Sequence, residues 1–311
     1  GINEADLFIS VTSFEETNLA SAIIARKLGA KKTIARISNL EFFLKKDVLD
    51  LSTVGVDELI SPESLAAREI KRLLSRSLAT DTFEFDNGML TLLGLTIDDK
   101  NELVNKSLKE TSFLNPDHDF ITVAILRNGK TIVPHGSTKF RTNDHAYFIA
   151  QQEGVQKLLK IGSKDTIEIK NVMIMGGSKI GFHTARRLSK KYDIKLVEKD
   201  RDKSFDLADS LPDTLVVNGD CSNVELLKEE GIQEMDAFVA VTGNSETNII
   251  SCLLAKNMGV KKTIALVENM DYIHISQNIG VDTMINKKLI AANFISRYVR
   301  QGRVISLTGI H

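Results

Sequence analysis

The sequence is poor in residues that mark several classes of protein. Its 311 residues include two cysteines, Cys221 and Cys252, which cannot build a disulfide framework and fit a reducing cytoplasm. Four prolines and 19 glycines exclude collagen-like and proline-rich disordered chains. No apolar run approaches the roughly 18 residues that a membrane-spanning helix needs. The net charge of -1 excludes a globally basic nucleic-acid-binding protein, so we expect no nucleic-acid partner.

The sequence contains two copies of one unit. At a constant offset of 230, residues 5–39 and 235–269 are identical at 16 of 35 positions, including VT, ETN and the run KKTIA. After a slip of five residues, VGVDELI at 54–60 matches IGVDTMI at 279–285. Since a chain of this length accommodates about two domains, the repeat predicts a duplicated fold.

The two copies differ in their surroundings. Residues 170–230 precede copy two and have no counterpart before Gly1, where copy one begins. Copy one is followed by a module at about 80–160, whereas copy two ends soon after its last helix. We therefore expect the chain to be the interior of a longer protein. The alternative is a natural chain whose first unit lacks its front half.

Short apolar runs alternate with helical patterns from residue 171 onward. Strands are predicted at 171–175, 194–198, 215–217, 237–241, 263–267 and 283–285. Helices lie between them, the first at 182–191. This alternation predicts an α/β fold, a Rossmann-like doubly wound parallel sheet with helices on both faces. Copy one supplies the last three strands of the same sheet, at 7–11, 33–37 and 58–60.

The module between the two copies has a different pattern. Strands at 120–126 and 131–133 flank the turn sequence RNGK, and strands at 82–85 and 89–95 flank Asp86-Asn87-Gly88. These hairpins predict a small α+β domain, which a helix at 65–78 joins to the first sheet unit.

A glycine-rich turn follows the strand at 171–175. Its residues are Gly176, Gly177, Ser178, Lys179, Ile180 and Gly181, in the frame G-x-S-x-x-G. The related frame G-x-G-x-x-G after a strand and before a helix receives pyrophosphate on backbone amides at the helix start. Ser178 adds a Cβ, which leaves less room for a pyrophosphate to approach the backbone, and a hydroxyl, which can donate a hydrogen bond to a phosphate. Lys179 either meets a phosphate or is solvated.

Polar residues end the next three strands. Glu198 lies 17 residues after Gly181, where a carboxylate accepts both ribose hydroxyls and repels a 2′-phosphate, which favours NAD over NADP. Asp220 is a candidate for the adenosine end, with a simple turn as the alternative. Thr242 and Gly243 are candidates for ribose or phosphate, with a helix cap as the alternative. Together these residues predict a nucleotide site at the carboxyl edge of the sheet.

Catalytic patterns are scarce in the sequence. The six histidines lack a metal-binding spacing, and there is no G-x-S-x-G elbow or P-loop signature. His183 and Cys221 are expected to be packing residues. A hydride-transfer enzyme needs a substrate domain with an acid/base group, whereas this nucleotide fold is accompanied by a partial copy of itself. We therefore predict a sensor with no catalytic and no metal-binding residues.

The segments GGSKIG, KLVEKD, NGDCSN and DAFVAVTGNSETN, with AKNMGVKKTIA, resemble the RCK (KTN) domain family, which regulates potassium conductance. FITVAILRNGKTIVPHGSTKFRTNDHAYFIAQ resembles the small C-terminal domain that accompanies it. The resemblance covers essentially the whole chain. It implies the C-terminal half of a first Rossmann-like RCK N domain at 1–79 and a first RCK C domain at 80–165. It further implies a complete second RCK N domain at 168–300 and the start of a second RCK C domain at 301–311.

The resemblance also implies a function. Family members bind NADH or NAD+, or ATP or ADP, and gate a membrane potassium-conducting subunit as a homo-oligomeric ring, which makes a dimer or tetramer expected. The implied location is cytoplasmic, peripheral on the inner face of the cell membrane. In copy one, Thr12, Ser13 and Arg36 match family nucleotide contacts, whereas Leu266 replaces the arginine in copy two. The alternatives are a regulator of another potassium channel or exporter and an NAD-dependent oxidoreductase.

Overall fold

The computed structural model describes residues 1–39, 50–75, 79–85, 89–99, 101–162, 169–272 and 280–299. Within these ranges the strands form three sheets. The expected turn at Asp86-Asn87-Gly88 and the segment 301–311 lie outside the described residues. None of the described helices combines the length and apolar character that crossing a bilayer requires.

The first unit is a three-stranded parallel sheet in the order β1-β2-β3. Its elements are β1 (Phe8–Ser10), α1 (Glu15–Lys27), β2 (Thr33–Arg36), β3 (Glu58–Ile60) and α2 (Pro62–Ser75). Helix α2 begins three residues before the predicted start. Proline is tolerated at the first position of a helix, because its missing amide would have no intrahelical partner there.

The module is a five-stranded antiparallel sheet in the order β4-β5-β8-β6-β7, with one helix on a face. Its elements are β4 (Ala79–Phe85), β5 (Leu90–Thr96), β6 (Phe120–Arg127), β7 (Lys130–Ile132), β8 (His145–Gln151) and α3 (Gln152–Gly162). The predicted hairpin between β6 and β7 turns at Asn128 and Gly129, which both have positive φ. Strand β8 and helix α3 were not among the predicted elements, although β8 is the central strand.

The second unit is a six-stranded parallel sheet in the order β11-β10-β9-β12-β13-β14. Its strands are β9 (Asn171–Met175), β10 (Asp193–Glu198), β11 (Leu215–Asn218), β12 (Ala237–Ala240), β13 (Lys262–Leu266) and β14 (Thr283–Ile285). Its helices are α4 (Lys179–Leu188), α5 (Arg201–Ser210), α6 (Val224–Glu229), α7 (Ser245–Asn257) and α8 (Lys287–Val299). Strand order reverses between β9 and β12, which confirms the doubly wound prediction and creates a switch point.

The repeat in the sequence is a repeat in the structure. Phe8 lies opposite Thr33 in the first sheet, and Phe238 lies opposite Thr263 in the second, so the offset of 230 is preserved in the strand register. The Thr33 amide and hydroxyl donate to the Asp57 carboxylate, just as those of Thr263 donate to the corresponding aspartate. Copy one therefore supplies the counterparts of β12, β13 and β14.

Helix α2 of the first unit is buried in the core of the second. Its apolar face belongs to the same cluster as Val172, Ile174 and Val239 of the second sheet, and consists of Ala66, Ile70, Leu73 and Leu74. At its borders, the Arg187 guanidinium donates to the Ser64 hydroxyl at 2.8 Å. Helix α8 in turn packs beside α2. Through α2 the first unit therefore shares a hydrophobic core with the second, beside a separate cluster of its own around Ala22, Ala35 and Val56.

Ile70→Ala tests this shared core. The side chain is fully buried, so its truncation is expected to lower the free energy of unfolding by about 2–5 kcal/mol. Because the chain has no tryptophan, urea unfolding is best followed by far-UV circular dichroism. The matched control is Ile24→Ala on α1, where the side chain is 57% exposed and a change within about 0.5 kcal/mol is expected. Equal losses in the two variants would contradict the shared core.

Candidate nucleotide-binding site

A cleft of about 470 Å³ lies at the carboxyl ends of the strands around the switch point of the second sheet. This volume falls in the range of small-molecule sites. Of the predicted site residues, six line the cleft: Gly176, Ser178, Glu198, Asp220, Thr242 and Gly243. The other lining residues are Met175, Val197, Lys199, Lys203, Gly219, Cys221, Ser222, Asn244 and Thr247.

The backbone conformation and close packing of the turn require glycine at two positions. Gly176 has a φ of 101°, and a Cβ there would approach the Thr242 backbone nitrogen to 3.1 Å. At Gly181, on the first turn of α4, a Cβ would overlap the Gly176 carbonyl oxygen. The turn between β9 and α4 therefore folds tightly against the loop after β12. The N-terminal end of α4 faces the cleft.

Ser178 caps helix α4 instead of leaving its hydroxyl free. Its Oγ accepts from the Gly181 amide at 3.3 Å and donates to the Val241 carbonyl at 2.7 Å. Since a hydroxyl has one hydrogen, the predicted donation to a phosphate is not available in this arrangement. The serine in place of the middle glycine thus ties the turn to the loop after β12.

The side chains of the remaining residues of the turn do not enter the cleft. Gly177 is buried under the Glu198 carboxylate, and Ile180 is buried in the core. The Lys179 side chain is 64% exposed, and its Nζ lies 4.0 Å from Glu15 Oε1 of the first unit. Lys179 therefore faces the border between the two units.

The Glu198 carboxylate is held by three donors. Its Oε2 accepts from the Gly177 amide at 2.9 Å and from Lys203 Nζ at 2.8 Å, and its Oε1 accepts from the Asp200 amide at 3.0 Å. Burial acts to raise the pKa of Glu198, but the contacts with Lys203, Asp200 and Gly177 outweigh it and keep the pKa below its usual value. Glu198 is therefore ionised and fixed against the glycine-rich turn.

A second ion pair joins the loops after β10 and β11, beside Glu198. Asp220 accepts from Lys199 Nζ at 2.7 Å and from the Ser222 hydroxyl and amide, and these hydrogen bonds lower its pKa to about 2. Cys221 beside it is buried, and burial raises the pKa of its thiol to about 12. The thiol is therefore protonated and is not a nucleophile at neutral pH.

A buried asparagine positions the loop after β12. The Asn248 side chain accepts from the Thr242 amide and hydroxyl and donates to the carbonyls of Thr242 and Leu266. Sequence reasoning did not select Asn248, although the repeated ETN segment was the available signal. Next to it, a Cβ on Gly243 would meet nothing within 4 Å, so this side of the loop is open.

The predicted residues of the first unit occupy the equivalent loop there. Asn18 accepts from the Thr12 amide and hydroxyl and donates to the Thr12 and Arg36 carbonyls, which repeats the pattern around Asn248. Ser13 follows in the same exposed loop, and Arg36 Nη2 lies 3.7 Å from Glu63 Oε1. The structure does not bring these residues into the cleft of the second unit.

His183 lies on α4 at the border with α2. The residue is buried, and neither ring nitrogen has a partner among the described residues. Burial, and next the positive charge of Arg187, lower the pKa of His183 to about 4. The predicted packing role agrees with this position, since the imidazole is neutral at physiological pH.

This histidine predicts a pH dependence of stability. The unfolded chain binds a proton at His183 near pH 6.5, but the folded chain does so only near pH 4. Its contribution to stability is therefore full above pH 6.5 and is lost as the pH falls through 4. The melting temperature of His183→Phe is expected to fall less than that of wild type between pH 6.5 and pH 4. His135→Phe, at an exposed position, controls for loss of an imidazole, and an equally steep decline in His183→Phe would contradict the assignment.

The doubly wound sheet with its glycine-rich turn and switch-point cleft defines a Rossmann-like protein. The TrkA-N domain family matches residues 1–62 and 172–287, and the TrkA-C domain family matches residues 92–161. The chain belongs to the TrkA family, as expected from its resemblance to RCK domains.

Curated relatives of the chain include proteins named Trk system potassium uptake protein TrkA. The chain is 35% identical over 308 residues to that of Haemophilus influenzae, which covers 98% of this chain and 67% of the relative. It is 32% identical over 317 residues to that of Azorhizobium caulinodans, which covers 100% of this chain and 69% of the relative. The chain thus spans about two thirds of the length of these relatives.

Among solved structures, the fold is similar to that of the GsuK channel bound to NAD. The TM-score is 0.65 at 16% identity, with 96% of this chain and 52% of that chain covered. The likeness is one of fold.

Proposed function

We propose that the chain is the nucleotide-binding part of a regulatory subunit that gates the TrkH-type membrane subunit of a potassium uptake system. The observation that carries the proposal is the cleft at the switch point, where the glycine-rich turn and the ends of four strands converge. Membership of the TrkA family supports the potassium-uptake system as its setting. In this proposal the subunit is cytoplasmic, lies at the inner face of the cell membrane and assembles as a dimer or tetrameric ring.

The proposed ligand is NADH or NAD+, with ATP or ADP as the other adenine nucleotides of the same class. The two tight glycines and the open space at Gly243 fit a phosphate group at the start of α4. The first amides of a helix lack intrahelical partners, so those of Lys179 and Ile180 are proposed as its donors. Glu198 is proposed to accept from the ribose, Asp220 to contact the adenosine end, and Thr242 and Gly243 to contact ribose or phosphate.

A binding role is favoured over catalysis by the chemistry of the cleft. The carboxylates of Glu198 and Asp220 are ion-paired and ionised, and the Cys221 thiol is protonated. We therefore propose that nucleotide occupancy acts by linkage, because it stabilises whichever assembly binds it more tightly. Residues 1–79, 80–165, 168–300 and 301–311 remain the proposed domain boundaries, with Thr12, Ser13 and Arg36 as contacts of a first-unit site.

Calorimetric titration with NADH tests the proposed site. Glu198→Gln removes the anionic acceptor, so we expect affinity to fall by about tenfold or more, the value of one charge-assisted hydrogen bond. No NADH is expected to be consumed. Asp236→Asn is the matched control, because that carboxylate accepts from the Lys170 and Asn171 amides at the other end of the sheet. Absence of saturable binding to wild type, or an equal loss in both variants, would contradict the proposal.

A further inference from the structure

The Glu198 carboxylate has few acceptor positions left for a ligand. Two carboxylate oxygens offer about four lone-pair positions in all, two on each oxygen. On Oε2 both are used, by the Gly177 amide and by Lys203 Nζ. On Oε1 one is used, by the Asp200 amide. With the donors of the described residues counted, one acceptor position therefore remains, and it is on Oε1.

A ribose presents two neighbouring hydroxyls, and a carboxylate receives such a diol with one hydrogen bond to each oxygen. The arrangement around Glu198 admits one of these bonds while Lys203 is in place. The amides of Gly177 and Asp200 belong to the backbone and cannot leave. The Lys203 ammonium ends a flexible side chain that is 46% exposed, so it is the donor among these three that can move away.

We infer that Lys203 is a specificity-determining residue of the cleft, which competes with a ribose diol for Glu198 Oε2. The inference rests on the proposed function, since it requires a nucleotide ribose at Glu198. The ligand class is a nucleotide with free 2′- and 3′-hydroxyls. Its second hydroxyl must displace the lysine, so Lys203 reduces the preference for ribose over deoxyribose.

A second lysine in the cleft provides the comparison. Lys199 also lines the cleft, but its ammonium pairs with Asp220 at 2.7 Å and makes no bond to Glu198. Loss of either lysine removes one positive charge from the same cleft and weakens the attraction for phosphates. Only loss of Lys203 frees an acceptor for the diol.

The test measures the affinities for ADP and 2′-deoxy-ADP by calorimetry and takes their ratio. Because both ligands carry the same phosphates, a change in cleft charge cancels in the ratio. Lys203→Met is expected to raise the preference for ADP by about tenfold, the value of one charge-assisted hydrogen bond. Lys199→Met is expected to leave the ratio within about twofold of wild type, since a change of that size is under one hydrogen bond.

Lys203→Arg completes the set, because it retains a competing donor and is expected to keep the wild-type ratio. A ratio that is unchanged in Lys203→Met, or that rises equally in Lys199→Met, overturns the inference and leaves the proposed function standing. A wild-type chain that binds neither ADP nor NADH overturns the proposed function, and the inference with it. Unchanged melting temperatures in all three variants show that the ratios report on binding.

Discussion

The packing of helix α2 against helices α4 and α8 of the second unit is the interaction on which the rest of the molecule depends. The apolar face of α2 packs directly against α4 and lies in the same hydrophobic cluster as Val172, Ile174 and Val239 of the second sheet. Joining the two units through this helix places the start of α4, with Lys179, beside Glu15 of the first unit. Any movement of α4 on ligand binding would therefore change its contact with the first unit.

Charge inside the cleft is balanced by internal partners. Two ion pairs lie on the cleft wall, Glu198 with Lys203 and Asp220 with Lys199. The Ser178 and Asn248 side chains make the hydrogen bonds that hold the neighbouring loops together. The site is thus preorganised, since its loops hold their positions through bonds within the chain. A ligand enters by exchanging some of these bonds rather than by ordering a loose loop.

The sequence predicts the strands and helices better than it predicts which residues contact one another in the folded chain. The strand at 283–285 and the glycine-rich turn follow from apolar periodicity and from glycines that only a tight turn requires. Helix α4 begins at Lys179 rather than 182, because its cap at Ser178 is fixed by the carbonyl of Val241, which is 63 residues away in the sequence. Periodicity likewise shows that α2 is amphipathic, but it does not show that helices of the second unit cover its apolar face. The pairing of Lys203 with Glu198 could not be predicted for the same reason, since it depends on side-chain geometry.

Nucleotide in the cleft is proposed to alter the interaction with the membrane subunit. The most direct measurement is the affinity of this chain for the detergent-solubilised TrkH-type subunit, with and without saturating NADH. We predict that the affinity for the membrane subunit changes with NADH. The affinity for NADH is expected to change by the same factor when the membrane subunit is added, because coupling between two binding sites is reciprocal. NADH binding with no association, or with an affinity for the membrane subunit that NADH leaves unchanged, would contradict it.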